Sequence, residues 1–80
     1  MKEFLAIAIW NTPDGPFSIS REVSDGIDSN DKDAIISFMG KEAAFSDEDN
    51  KEYLYEIILI REGPYGIPDA FKVFNCENIG

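Results

Sequence analysis

Two short apolar runs limit most strongly what this 80-residue chain can fold into. The first, residues 4–10, carries isoleucines at alternate positions, and the second, residues 53–61, is apolar throughout 57–60. Short runs rich in β-branched residues are typical of buried strands. Because both faces of each run are apolar, we expect these two strands to lie side by side in the centre of a sheet.

Two further strands are predicted at the edges of this sheet. Residues 17–23 alternate between apolar and polar side chains, and they follow a strong turn signal at 11–16. This pattern predicts an outer strand that forms a hairpin with the first strand. After a long turn at 62–69, residues 70–76 form the last predicted strand.

One helix is predicted between the second and third strands. Ser29 or Asn30 can cap its start, because both side chains accept hydrogen bonds from free backbone N–H groups. Its end is less well defined, since Gly40 can stop the helix or the helix can continue to Phe45. We expect a length of about ten to fifteen residues. The apolar positions at helical spacing are Ala34, Ile35, Phe38 and Met39.

The predicted fold is therefore a single α+β domain over residues 1–80, in the order β-β-α-β-β. It is a four-stranded, mainly antiparallel sheet with one helix on one face, and the strands lie in the spatial order second, first, third, fourth. A lone helix covers only one face, yet the central strands are apolar on both. The second face needs cover from the 62–69 loop and the chain ends, from self-association, or from a foreign partner.

Charge limits the choice of partner. The chain has 16 acidic and 7 basic residues and a net charge of −9. Direct contact with nucleic acid or with an anionic membrane is disfavoured, because both require basic residues. The partner that such a surface favours is a basic protein surface. The competing interpretation is that the charge only keeps the protein soluble.

The acids are concentrated between residues 22 and 56, where eleven acidic residues face three lysines. This segment includes a charge-dense connector at 46–52, for which one interpretation is a single helical turn capped by Ser46. The concentration of acids predicts that the segment acts as a decoy for a basic, nucleic-acid-binding surface. A solvated acidic rim is the alternative. Tyr65, between prolines and glycines in the last turn, is an additional candidate anchor. The predicted partner-binding residues are Asp28, Asp31, Asp33, Asp47, Glu48, Asp49 and Tyr65.

Catalysis and cofactor binding are not expected. Without histidine, neither a Ser–His nor a Cys–His pair can form, and the acids of residues 25–33 fit no register of a twelve-residue calcium loop. We predict no metal site, no cofactor and no catalytic residues. The single cysteine, Cys76, fits a small core residue, and a chain without a disulfide suits the cytoplasm.

The size, the acidity and the lack of catalytic motifs resemble, in a general way, the small inhibitors that bacteriophages make against host defence or transcription machinery, although no motif is shared. The leading hypothesis is a small acidic protein-binding module that acts as an inhibitor by occupying a basic surface. The alternative is a homodimeric structural or accessory protein that uses its apolar sheet face. A minimal enzyme that uses carboxylates is the third hypothesis.

Overall fold

The computed structural model describes residues 4–23 and 26–76. Its four strands form one antiparallel sheet, and two helices lie between the second and third strands. The elements in chain order are β1 (Phe4–Thr12), β2 (Gly15–Val23), α1 (Lys32–Glu42), α2 (Asp47–Tyr53), β3 (Leu54–Glu62) and β4 (Pro68–Asn75).

The predicted fold class is confirmed, together with the strand order β2-β1-β3-β4. The register places Ile7 of β1 between Ser20 of β2 and Ile58 of β3, and Val73 of β4 lies beyond Ile58. All three pairings are antiparallel, so the two apolar strands are central, as the sequence predicts.

Alternation along the strands gives the sheet two different faces. On the core face, the β1 side chains Phe4, Ala6, Ala8 and Trp10 are all buried. On the other face, which we call the open face, Leu5, Ile7 and Ile9 are only half-buried. The hydrophobic core is therefore built on one side of the sheet, between the strands and the helices. Its other large members are Val23, Ile35, Met39, Leu54, Ile57 and Leu59.

Helix α1 crosses the core face from one edge of the sheet to the other. Just before its start, Asn30 accepts a hydrogen bond from Lys72 of β4 at 2.7 Å. At its end, Glu42 pairs with Arg21 of β2 at 3.1 Å. Eleven residues of helix are about 16 Å long, which is close to the ~14 Å across three strand spacings. The helix is therefore just long enough to span the four strands.

Several predicted boundaries needed correction. The N-cap of α1 is Asp31, not Ser29 or Asn30, because the Asp31 carboxylate accepts the Ala34 N–H at 3.2 Å. The helix passes through Gly40 and ends before Ala43. The connector at 46–52 forms a second helix, α2, so the sheet carries two helices on its core face rather than one.

Candidate functional site

The first turn of α2 holds the densest group of acids in the described part of the chain. Ser46 caps this helix, since its hydroxyl oxygen accepts the Asp49 N–H at 3.1 Å. Carboxylates in a first turn are stabilised by the helix dipole, which explains locally why acids follow the cap. All of the acids of α2 are exposed, and we call them the α2 patch: Asp47, Glu48, Asp49 and Glu52.

The pKa of Tyr53 reports the negative potential around this patch. It is raised above its ordinary value chiefly by the charge of Glu52, then by partial burial, and then by the charges of Asp49 and Asp14. Nearby carboxylates oppose ionisation of the phenol because the phenolate is negative as well. Asp14 belongs to the β1–β2 turn, so the folded chain adds a carboxylate to this region that the sequence did not assign to it.

A surface groove of about 730 Å³ runs between α1, α2 and the end of β4. Asp33 of α1 and Asp47 of α2 both line it, so two of the predicted binding residues share one depression. Lys32 and Lys51 line it as well, which makes the groove electrically balanced. Its apolar lining comes from Ile36, Leu54 and Cys76. The groove can therefore accept a side chain of mixed character, whereas the excess negative charge lies on the exposed acids of α2.

Asn50 fixes α2 against the rest of the molecule. Its side chain is 4% exposed. Its oxygen accepts the Trp10 indole N–H at 2.8 Å, and its amide nitrogen donates to the Ile36 carbonyl at 3.0 Å. One side chain thus joins α2 to β1 and to α1. The α2 patch is consequently displayed from a helix whose inner side is held by buried hydrogen bonds, although α2 is only seven residues long.

Asp28 and Asp31 have local structural roles. Asp28 accepts the Asn30 N–H at 2.7 Å, and Asp31 is the cap of α1. Both side chains remain exposed, so both also contribute charge to the helical side of the molecule. These hydrogen bonds to the backbone explain why Asp28 and Asp31 are acidic without any need for a binding partner. Within the described residues, no such bond involves Glu48 or Glu52.

Tyr65 lies far from the α2 patch. It is 99% exposed in the β3–β4 turn and adopts a left-handed backbone conformation, with φ of 61°. Because α2 precedes β3 and this turn follows it, the two features lie at opposite ends of a nine-residue strand, about 30 Å apart. Tyr65 therefore does not belong to the same small surface as the acids of α2.

Cys76 packs against the hydrophobic core at the edge of the groove, and Trp10 lies within the core. The Cys76 thiol is half-buried and donates to the Phe74 carbonyl at 3.7 Å. Burial is the main reason why the pKa of this thiol is raised. The charge of Lys32 opposes the rise, and the charge of Glu56 adds to it. A raised pKa keeps the thiol protonated and unreactive at neutral pH. Trp10 is fully buried and is a core residue, whose indole N–H donates a hydrogen bond to Asn50.

Comparisons of the chain with protein-family models, with curated proteins and with solved structures found no match. Within residues 4–23 and 26–76, no three carboxylate or thiol side chains come together in a way that could hold a metal ion. Neither described helix is long and apolar enough to cross a membrane.

Proposed function

We propose that this protein is a binding module that presents the α2 patch and the neighbouring helical surface to a basic surface of a protein partner, as an inhibitor of a nucleic-acid-binding protein would. The observation that carries this proposal is the exposed first turn of α2, where three consecutive carboxylates follow a capped helix start that is anchored by Asn50. A basic surface would meet a charged group that needs little ordering on binding, and such preorganisation favours affinity.

The charge density supports a decoy for nucleic acid, over a short distance. Helix α2 has four acids and one lysine in seven residues, a net charge of −3. Over a helix length of about 10 Å, this is one negative charge per ~3.5 Å, the spacing along one DNA strand. The patch therefore covers about three phosphate positions of a single strand. The acids at the start of α1 extend the same side of the molecule, and Asp33 lines the same groove as Asp47.

The distribution of charge over the two sides of the sheet favours this surface. Residues 28–53, which include both helices, contain eight acids and three lysines. By contrast, the centre of the open face is aliphatic, and its carboxylates lie towards its margins. Long-range attraction of a basic partner would therefore act on the helical side, where it raises the association rate.

The test compares two triple variants that change the net charge equally. The first neutralises the patch in Asp47→Asn/Glu48→Gln/Asp49→Asn, and the matched control neutralises exposed acids of the sheet edges and hairpin in Glu22→Gln/Glu62→Gln/Asp69→Asn. Each chain captures proteins from a lysate of the organism that encodes it, at ~50 mM and ~500 mM salt. Affinity for the captured protein is then measured in purified form.

We expect the wild type and the control to capture a basic protein at low salt but not at high salt. Duplex DNA should displace this protein. The patch variant should bind it roughly 3- to 150-fold more weakly, since three exposed ion pairs at roughly 0.2–1 kcal/mol each sum to about 0.6–3 kcal/mol. Equal affinity of the two triple variants, or binding that salt does not weaken, would show that the α2 patch is a solvated rim and not a binding surface.

A further inference from the structure

The open face of the sheet is apolar across three strands. Its aliphatic side chains form a continuous surface because the register aligns Leu5 with Ile60, and Ile7 with Ile58 and Val73. Val73 is 52% exposed and the others are half-buried. Both helices pack on the core face, so no described helix covers this surface. Its large aliphatic members are Leu5, Ile7, Ile9, Ile58, Ile60 and Val73.

The β3–β4 turn, which the sequence offered as cover for this face, exposes its apolar side chains to solvent. Tyr65 is 99% exposed and Ile67 is 62% exposed. Contiguous apolar surface of several hundred Å² on a small protein marks an interaction site. We propose that the open face is the contact surface between two copies of this chain, packed sheet against sheet.

The size of the face fits a stable dimer. Four strands at ~4.8 Å spacing and nine residues at ~3.3 Å give a plane of roughly 570 Å² before corrugation by side chains is added. The aliphatic part, on three strands over about five residues each, takes up roughly 240 Å² of this plane, and the polar open-face side chains of β2 belong to its rim. A typical stable interface buries about 800 Å² on each partner, and lattice contacts bury less than about 400 Å². The corrugated face therefore approaches the area that a dimer needs.

The chemistry of the face fits a second copy better than a foreign protein. Glu22 and Glu56, which are charged groups of the face, lie at the two ends of its aliphatic part, and two identical aliphatic surfaces are complementary to each other. A twofold axis parallel to the strands lays β1 on the partner's β3, which places Ile7 against the partner's Ile58. In this arrangement Glu22 of β2 lies over the partner's β4 near Ala70, and Glu56 lies near the partner's Ile9. Within the described residues, neither of these two carboxylates then meets a carboxylate of the partner copy.

The net charge of −9 on each chain predicts how salt affects this dimer. The two helical layers lie on the outer sides of the paired sheets, about 30 Å apart if the sheets pack ~10 Å apart and each helix layer is ~10 Å thick. That distance exceeds the Debye length of about 10 Å at 0.1 M salt, so the remaining repulsion is small and screened. Dimerisation should therefore strengthen only slightly as salt rises, whereas binding of a basic partner should weaken.

The experiment is sedimentation velocity with light scattering from ~2 to ~200 μM protein, at ~50 and ~500 mM salt. The variants are Ile58→Lys in the centre of the face and Val73→Glu on its edge strand. The matched controls are Ile67→Lys and Ile67→Glu, which make the same chemical changes at an exposed aliphatic side chain of the β3–β4 turn. Far-UV circular dichroism checks the fold of each variant.

We expect the wild type and both Ile67 variants to dimerise, slightly more tightly at high salt, and both face variants to dimerise at least about 100-fold more weakly. If Ile58→Lys fails to fold, Val73→Glu still gives the result, because an exposed edge position tolerates a charge. A wild-type monomer at every concentration, or a dimer that persists in folded Val73→Glu, would overturn the proposal. Neutralising the α2 patch should leave the dimer intact, so this test and that of the proposed function fail independently.

Discussion

Gly40 should behave in the opposite way to an ordinary helix glycine. Alanine in place of glycine inside a helix normally stabilises it by about 1 kcal/mol. At position 40, however, an added Cβ would overlap the amide nitrogen of Asn50 and lie 2.5 Å from the side-chain carbon that bears it. Asn50 is buried and both ends of its amide are hydrogen-bonded, so it cannot move aside without breaking those bonds.

The magnitude follows from the two hydrogen bonds of Asn50. Each contributes roughly 1 kcal/mol net, and a buried indole N–H left without a partner costs about 1–3 kcal/mol. Displacing Asn50 therefore costs about 2–4 kcal/mol, against the gain of ~1 kcal/mol from helix propensity. Gly40→Ala should lower the free energy of unfolding by about 1–3 kcal/mol. Out of a total of about 4–12 kcal/mol for 80 residues, this is readily measured.

The decisive comparison is made in an Asn50→Ala background. There the amide is gone, so Gly40→Ala should be neutral or stabilise the protein by up to ~1 kcal/mol, which reverses the sign of its effect. Urea unfolding followed by far-UV circular dichroism measures all four chains of this double-mutant cycle, and an unchanged m-value would show that only stability differs. Equal effects of Gly40→Ala in both backgrounds, or stabilisation of the wild type, would refute the steric reasoning.

Two further outcomes test how the helices end and what surrounds the acids. Ala44 has a positive φ of 65° at the end of α1, where glycine is strain-free. Ala44→Gly should therefore raise the free energy of unfolding by about 1 kcal/mol in the same urea assay, and destabilisation would contradict this. The pKa of Tyr53, obtained by ultraviolet titration of the wild type against Tyr53→Phe, should lie above its usual range and fall in Glu52→Gln or at high salt, because the Glu52 charge is the main cause of the rise. An unchanged pKa in Glu52→Gln would mean that the carboxylates of the α2 patch exert little potential on the phenol.

The sheet was predictable from sequence because its signals are local and repeated. Alternation in residues 17–23 and the double-sided apolar runs indicated which strands are edges and which are central, and the observed register agrees. The second helix was harder to predict, because α2 has only one buried side chain, Asn50, and short polar helices lack an apolar stripe. The Ser46 cap was its one usable signal, and the notion of a single helical turn there understated a helix of seven residues.

The end of α1, which the sequence left open between Gly40 and Phe45, lies at Glu42 for a physical reason. Glycine usually marks the residue after a helix, but here Gly40 lies inside α1, where the Asn50 side chain packs against its backbone. Ala44 occupies the position that usually holds glycine, with its N–H donating to the Lys41 carbonyl and the next N–H, of Phe45, donating to Gly40. Sequence alone cannot distinguish a glycine needed for close packing from one needed for a turn. The same holds for Asn50, which in a charged segment resembles a surface residue.

The helical side and the open face of the sheet would bind partners of different chemistry, so one molecule can use both surfaces at the same time. Net charge of this size favours solubility, and the acids on the helical side lie across the sheet from the aliphatic open face, where they would not prevent the proposed pairing. A dimer formed through the open face would display two α2 patches on opposite outer sides. One dimer would then bind two target molecules, one on each outer side, and linked binding to a single target would require sites that reach both sides.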